Sequence, residues 1–66
     1  MDFWQEMMNK GVKKELVSRG YAKEIYKVTN CKNCTDDELI RFCGGAFGGE
    51  VYRSSDDVAT VETYID

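Results

Sequence analysis

Histidine and proline are both absent from this 66-residue chain, and it has no long apolar run. Without histidine, the commonest general base near neutral pH is missing. Without proline, no cis-prolyl step can slow folding. A bilayer span needs about 20 consecutive apolar residues, and no stretch approaches that. The opening Met1-Asp2-Phe3-Trp4-Gln5-Glu6 has no basic segment followed by an apolar one, so no export signal is read there and a cytoplasmic address is expected. Cysteine is sparse, and the odd set Cys31, Cys34 and Cys43 does not suggest a disulfide framework. A chain of this length is expected to form a single domain over residues 1–66. It would bury only about 60% of the surface its unfolded chain exposes. So thin a core gains from a second subunit or another staple.

Charge is present but unevenly spread. The net charge is −3. Residues 10–27 carry Lys10, Lys13, Lys14, Arg19, Lys23 and Lys27 against Glu15 and Glu24. Residues 35–66 carry eight carboxylates against Arg41 and Arg53. A basic middle and an acidic tail attract each other, within one copy or between copies.

The apolar pattern suggests helices first and a hairpin last. Trp4, Met8, Val12 and Leu16 recur at i, i+4, with Phe3 and Met7 beside them. That spacing predicts one helix running from an Asp2 cap to a stop at Gly20, with Gly11 tolerated inside it. Tyr21 to Asn30 is read as a second helix, since Ile25 and Val28 would point to opposite faces of a strand. A strand there is the alternative. Thr35-Asp36-Asp37-Glu38 reads as a capping box opening a third helix, which Gly44-Gly45 closes. Gly49–Arg53 and Val58–Ile65 read as strands around a Ser54-Ser55-Asp56-Asp57 turn, with Ala59, Val61, Thr63 and Ile65 toward the core. Phe47, between two glycine pairs, is expected to plug that core. The fold class is therefore α+β, in the order α-α-α-β-β, with α-β-α-β-β as the alternative. The tail, Phe47-Gly48-Gly49-Glu50-Val51 with Ala59-Thr60-Val61 and Tyr64, resembles small bacterial and mobile-element proteins in general character. That likeness names no family and transfers no functional residue.

Candidate sites are few. Cys31 and Cys34 have the spacing of half a zinc site, and Cys43 could add a third thiolate. A fourth ligand is missing unless Asp36, Asp37 or another subunit supplies it. Cys34 also precedes a helix N-terminus, where a thiolate is stabilised. Three reduced thiols are the plainer reading, so no cofactor is expected. The glycine run follows a helix and precedes a strand, the reverse of a phosphate cradle. Lys13, Lys14, Arg19 and Lys23 could meet phosphates, but the overall acidity argues against nucleic acid. No constellation points to an enzyme.

What remains is apolar surface. Trp4 and Met8, with Tyr52 and Tyr64, form the expected contact set for a protein partner or a second copy. The terminal strand Val58–Ile65 is expected to offer a free edge as a second route. The function expected is a non-enzymatic, self-associating interaction or regulatory module. Its alternatives are a cysteine metal or thiol site and weak nucleic-acid binding through residues 10–27.

Overall fold

The computed structural model describes residues 2–65. Helix α1 covers Phe3–Asn9, strand β1 Lys13–Arg19, strand β2 Lys23–Thr29, helix α2 Asp36–Phe42, strand β3 Gly49–Arg53 and strand β4 Val58–Tyr64. The strands form one antiparallel sheet in the order β1-β2-β4-β3. The α+β class stands, but the element order is α-β-β-α-β-β. Both expected orders lacked β1. Among the described residues, no helix is long and apolar enough to cross a membrane.

The first helix stops nine residues before the expected point. Asp2 caps it, its carboxylate accepting from the Gln5 amide at 2.8 Å. The Gln5 side chain turns to Asn9 rather than back to the cap. Gly11 has φ of +75°, and the amides of Gly11 and Val12 donate to the carbonyls of Met8 and Met7. This is a Schellman closure, which needs a left-handed residue after the C-cap. Gly11 is thus the stop signal, not a tolerated interior residue. Trp4 and Met8 stay in the helix, while Val12 folds under it and is buried.

β1 and β2 replace the expected second half of α1 and the expected second helix. Gly20 lies in the turn between them, its amide donating to the Lys23 carbonyl at 2.7 Å. In β2, Ile25 and Val28 do point to opposite faces: Val28 is fully buried and Ile25 is not. β2 gains ladders from both β1 and β4, and this long-range pairing overrides the local helical spacing. β1 is an edge strand exposed along its whole length, with a bulge at Val17.

The second half follows its local signals. Thr35 and Glu38 make the reciprocal capping box, at 3.2 and 2.8 Å. α2 ends as α1 does: Gly44 has φ of +82°, and Gly44 and Gly45 donate to the carbonyls of Arg41 and Ile40. Phe47 does not plug the core. The Gly48 amide closes a turn onto the Gly45 carbonyl, and Phe47 at its tip is 69% exposed. Ala59, Val61 and Thr63 are fully buried as expected, whereas Ile65 lies beyond β4 and stays exposed. β4 is central in the sheet, so the free edges belong to β1 and β3 and not to Val58–Ile65.

Both helices pack on one face of the sheet. Met7, Leu39 and Phe42 meet Val28, Ala59 and Val61 there, together with all three cysteines. Arg53, at the end of β3, fastens the segment before α2. Its guanidinium donates to the carbonyls of Cys31 (3.2 Å) and Cys34 (2.7 Å) and to the Asp36 carboxylate (3.2 Å).

Candidate functional site

Among the described residues, no element covers the face of the sheet away from the helices. Register assigns its residues, since directly paired residues share a face and neighbours along a strand alternate. The core side holds Val28, Val61 and Val51, so the open side takes the other parity. β1 contributes Lys13, Glu15 and, past the bulge, Ser18 to it. β2 contributes Lys23, Ile25, Lys27 and Thr29. β4 contributes Val58, Thr60, Glu62 and Tyr64, and β3 contributes Glu50 and Tyr52. None of these thirteen residues is buried. An open hollow of about 300 Å³ lies on the lysine side, lined by Lys13, Lys14, Glu15, Lys27 and Thr29.

Charge on this face is mixed across the strands: β1 carries Lys13 and Glu15, β2 carries Lys23 and Lys27, and Glu62 and Glu50 stand on β4 and β3, with Glu15 the direct cross-strand partner of Lys27. Lys23 Nζ meets Glu62 at 3.1 Å, and the hydrogen bond to that carboxylate raises the lysine pKa. Glu50 and Glu62 are direct cross-strand partners, a like-charge pair that weakens a sheet unless a cation offsets it. Glu62, with burial and Glu50 adding to it, pushes the Tyr52 phenol above its ordinary value.

The four expected contact residues do not form one surface. Tyr52, 53% exposed, and the half-buried Tyr64 stand on the open face. Trp4 and Met8 stand on α1, behind the sheet. Trp4 packs edge-on against Phe3 and tilted against Phe42. Lys14 Nζ sits 4.9–5.6 Å from the ring centres of Phe42, Trp4 and Tyr26 and donates to the Phe42 carbonyl at 2.7 Å. Trp4 is therefore already engaged in holding β1 to α2.

The cationic set splits the same way. Lys13 and Lys23 belong to the open face, Lys14 and Arg19 to the helix face. Lys14 is held by Phe42, Arg19 pairs with Glu24 through Nε at 2.6 Å, and Lys23 pairs with Glu62. The three cysteines are all buried and free. Burial pushes the Cys43 thiol up to about 11 and raises the Cys34 thiol, against the thiolate stabilisation expected from its place before α2. Among the described residues, no three histidine, cysteine, aspartate or glutamate side chains converge as metal ligands do.

Ile25, Lys27 and Glu50 were missed as surface residues. Their signal was a charge alternation: Lys23, Ile25, Lys27 and Thr29 share one side of β2, while Glu24, Tyr26 and Val28 share the other. An apolar-only reading of residues 21–30 hides it. Comparison of the chain with protein-family models, with curated proteins and with solved structures finds no match in any of the three.

Proposed function

We propose that this protein acts by contact rather than by catalysis, as a self-associating interaction module whose contact surface is the open face of the sheet. The observation that carries this reading is that both helices cover one face while the other, with Tyr52 and Tyr64, has no element over it among the described residues. Four strands about 4.8 Å apart, each about 3.3 Å per residue, give a face of roughly 20 by 20 Å. That is about 400 Å² per partner, below the size of specific stable interfaces and in the range of weak transient ones, which fits at most a weak, concentration-dependent dimer.

The titratable groups favour contact over chemistry. Catalytic groups are tuned toward neutrality. Here the Cys34 and Cys43 thiols are pushed up, away from the thiolate, and Glu24 and Glu38 are pushed down, away from the protonated acid. The open face balances Lys13, Lys23 and Lys27 against Glu15, Glu50 and Glu62. A polyanion gains little net attraction from such a face, whereas a protein surface of mixed charge can match it.

Sedimentation equilibrium from about 1 to 200 μM tests the reading. The wild type is expected to dimerise, and a Tyr52→Ser/Tyr64→Ser variant to lose about tenfold or more in affinity, as truncated interface aromatics do. Met8→Asp, on the far side of the sheet, is expected to leave the dimer intact. A wild type that stays monomeric throughout removes self-association. A dimer broken by Met8→Asp and untouched by the tyrosine changes moves the surface to the helix side.

A further inference from the structure

The edge of the sheet offers a second contact, on a different surface from the open face. β3 ends the order β1-β2-β4-β3, and no strand pairs with its outer side among the described residues. We infer that a second copy of this chain adds there, β3 antiparallel to β3, about a two-fold axis through Val51 and normal to the sheet. Such an axis keeps the same face of both copies on the same side, so two four-stranded sheets become one continuous sheet.

The ladder fixes which backbone groups face outward. The Tyr64 amide donates to the Gly48 carbonyl at one end of the β3–β4 pair, and the Ser54 amide to the Val58 carbonyl at the other, both at 3.0 Å. Both bonds belong to the register that pairs Val51 with Val61. Hydrogen-bonded pairs alternate with non-bonded ones along an antiparallel ladder. Glu50 and Tyr52 therefore bond to β4, while Gly49, Val51 and Arg53 turn their N–H and C=O groups to the free edge. No turn, cap or side-chain hydrogen bond among the described residues takes up these groups.

The strand is self-complementary about Val51. Gly49, Val51 and Arg53 oppose the partner's Arg53, Val51 and Gly49, so every outward donor meets an outward acceptor. Glu50 stands opposite the partner's Tyr52 and not a like charge. Arg53 stands opposite a glycine, which has no side chain to disturb its clamp. The half-buried Val51 meets its own copy on the helix side. An axis through Glu50 would set two carboxylates directly opposite each other, which destabilises a ladder. An axis through Tyr52 would run Gly49 against the turn at Ser55. The other edge is blunted: β1 is bulged at Val17, and an axis through Lys14 or Glu15 opposes like charges. Added at β3, the second copy extends the open face to roughly 40 by 20 Å.

Amide hydrogen exchange of the wild type, followed by NMR at about 20 and about 500 μM, tests the pairing. The amides of Gly49, Val51 and Arg53 are expected to exchange about tenfold or more slowly at the higher concentration, with no such change along the β1 edge. Face-to-face docking leaves the β3 edge amides open, so the two contacts are told apart. Val51→Pro removes the N–H on the axis, which β4 does not use, and turns its ring toward the second copy. It should weaken association about tenfold or more, with circular dichroism reporting that the chain is folded. If the proline unfolds the chain, the wild-type exchange decides alone. Edge amides that exchange equally fast at both concentrations, or a folded Val51→Pro chain that dimerises like the wild type, overturn the edge pairing and leave the open-face reading standing. A wild type that stays monomeric overturns both.

Discussion

Thr63 shows how a buried group in the core of so small a sheet can work against it. Its side chain is fully buried on β4, between Glu24 of β2 and Gly49 of β3, and its hydroxyl has no hydrogen-bond partner among the described residues. A buried unpaired polar group costs about 1–3 kcal/mol, and an apolar group of the same shape removes that cost. Thr63→Val should therefore stabilise the fold by about 1 kcal/mol, read as a higher urea midpoint at unchanged slope. A midpoint that falls would mean that the hydroxyl is bonded in solution. Residue-level pattern had placed Thr63 inward correctly, because alternation along β4 fixes facing. It had placed Phe47 inward wrongly. Hydrophobicity alone put that ring in the core, but the turn closed by Gly45 and Gly48 aims it outward, and alternation does not apply in a turn.

At the scale of elements, the chain is held by terminators and by one clamp. Both helices are seven residues long, too short to persist alone. Each is closed at the N-terminus by a side-chain cap and at the C-terminus by a Schellman turn. The Arg53 clamp then ties the segment before α2 to β3. Arg53→Met should cost about 2 kcal/mol, since it strips donors from two backbone carbonyls and an acidic partner. Arg53→Lys should recover little, because an ammonium lacks the guanidinium fork. Asp36→Asn should cost under about 1 kcal/mol, as its carboxylate is mostly exposed. Urea unfolding of the three variants separates the contributions, and an Asp36→Asn loss equal to that of Arg53→Met would assign the effect to the ion pair. The elements legible in the sequence are those with local terminators. Thr35 with Glu38, Gly44-Gly45 and the Ser54–Asp57 turn all act within a few residues of themselves. Residues 10–20 were misread, and the strand that forms β2 was read only as the alternative to a helix, because β1 is set by pairing with β2 and β2 by pairing with β4. The i, i+4 series Trp4, Met8, Val12, Leu16 runs through a left-handed Gly11 that spacing alone does not reveal. The open face was legible only in part: Tyr52 and Tyr64 follow from the hairpin, while the lysine half awaited β1 and β2.

Across the whole molecule, two carboxylates link folding to pH. Glu24, on the helix face of the sheet, accepts from Arg19 Nε at 2.6 Å and from the Tyr26 hydroxyl at 3.1 Å, and chiefly the Arg19 bond holds its pKa below the ordinary 4.5. Glu38 accepts from the Thr35 amide at 2.8 Å, and that backbone bond holds its pKa down as well. A carboxylate whose pKa is lower folded than unfolded binds fewer protons in the native state. Its stabilisation is complete above the unfolded value and is lost as pH falls through the folded one. The protein should therefore keep a flat stability from neutral pH to about 5 and lose it progressively below 4.5. Glu24→Gln and Glu38→Gln should each be less stable than the wild type at pH 7 and converge on it near pH 3. Thermal unfolding of the three chains between pH 7 and pH 3 measures this. Parallel curves, with the gap at pH 3 as wide as at pH 7, would mean that the two glutamates act through packing and not through their charge.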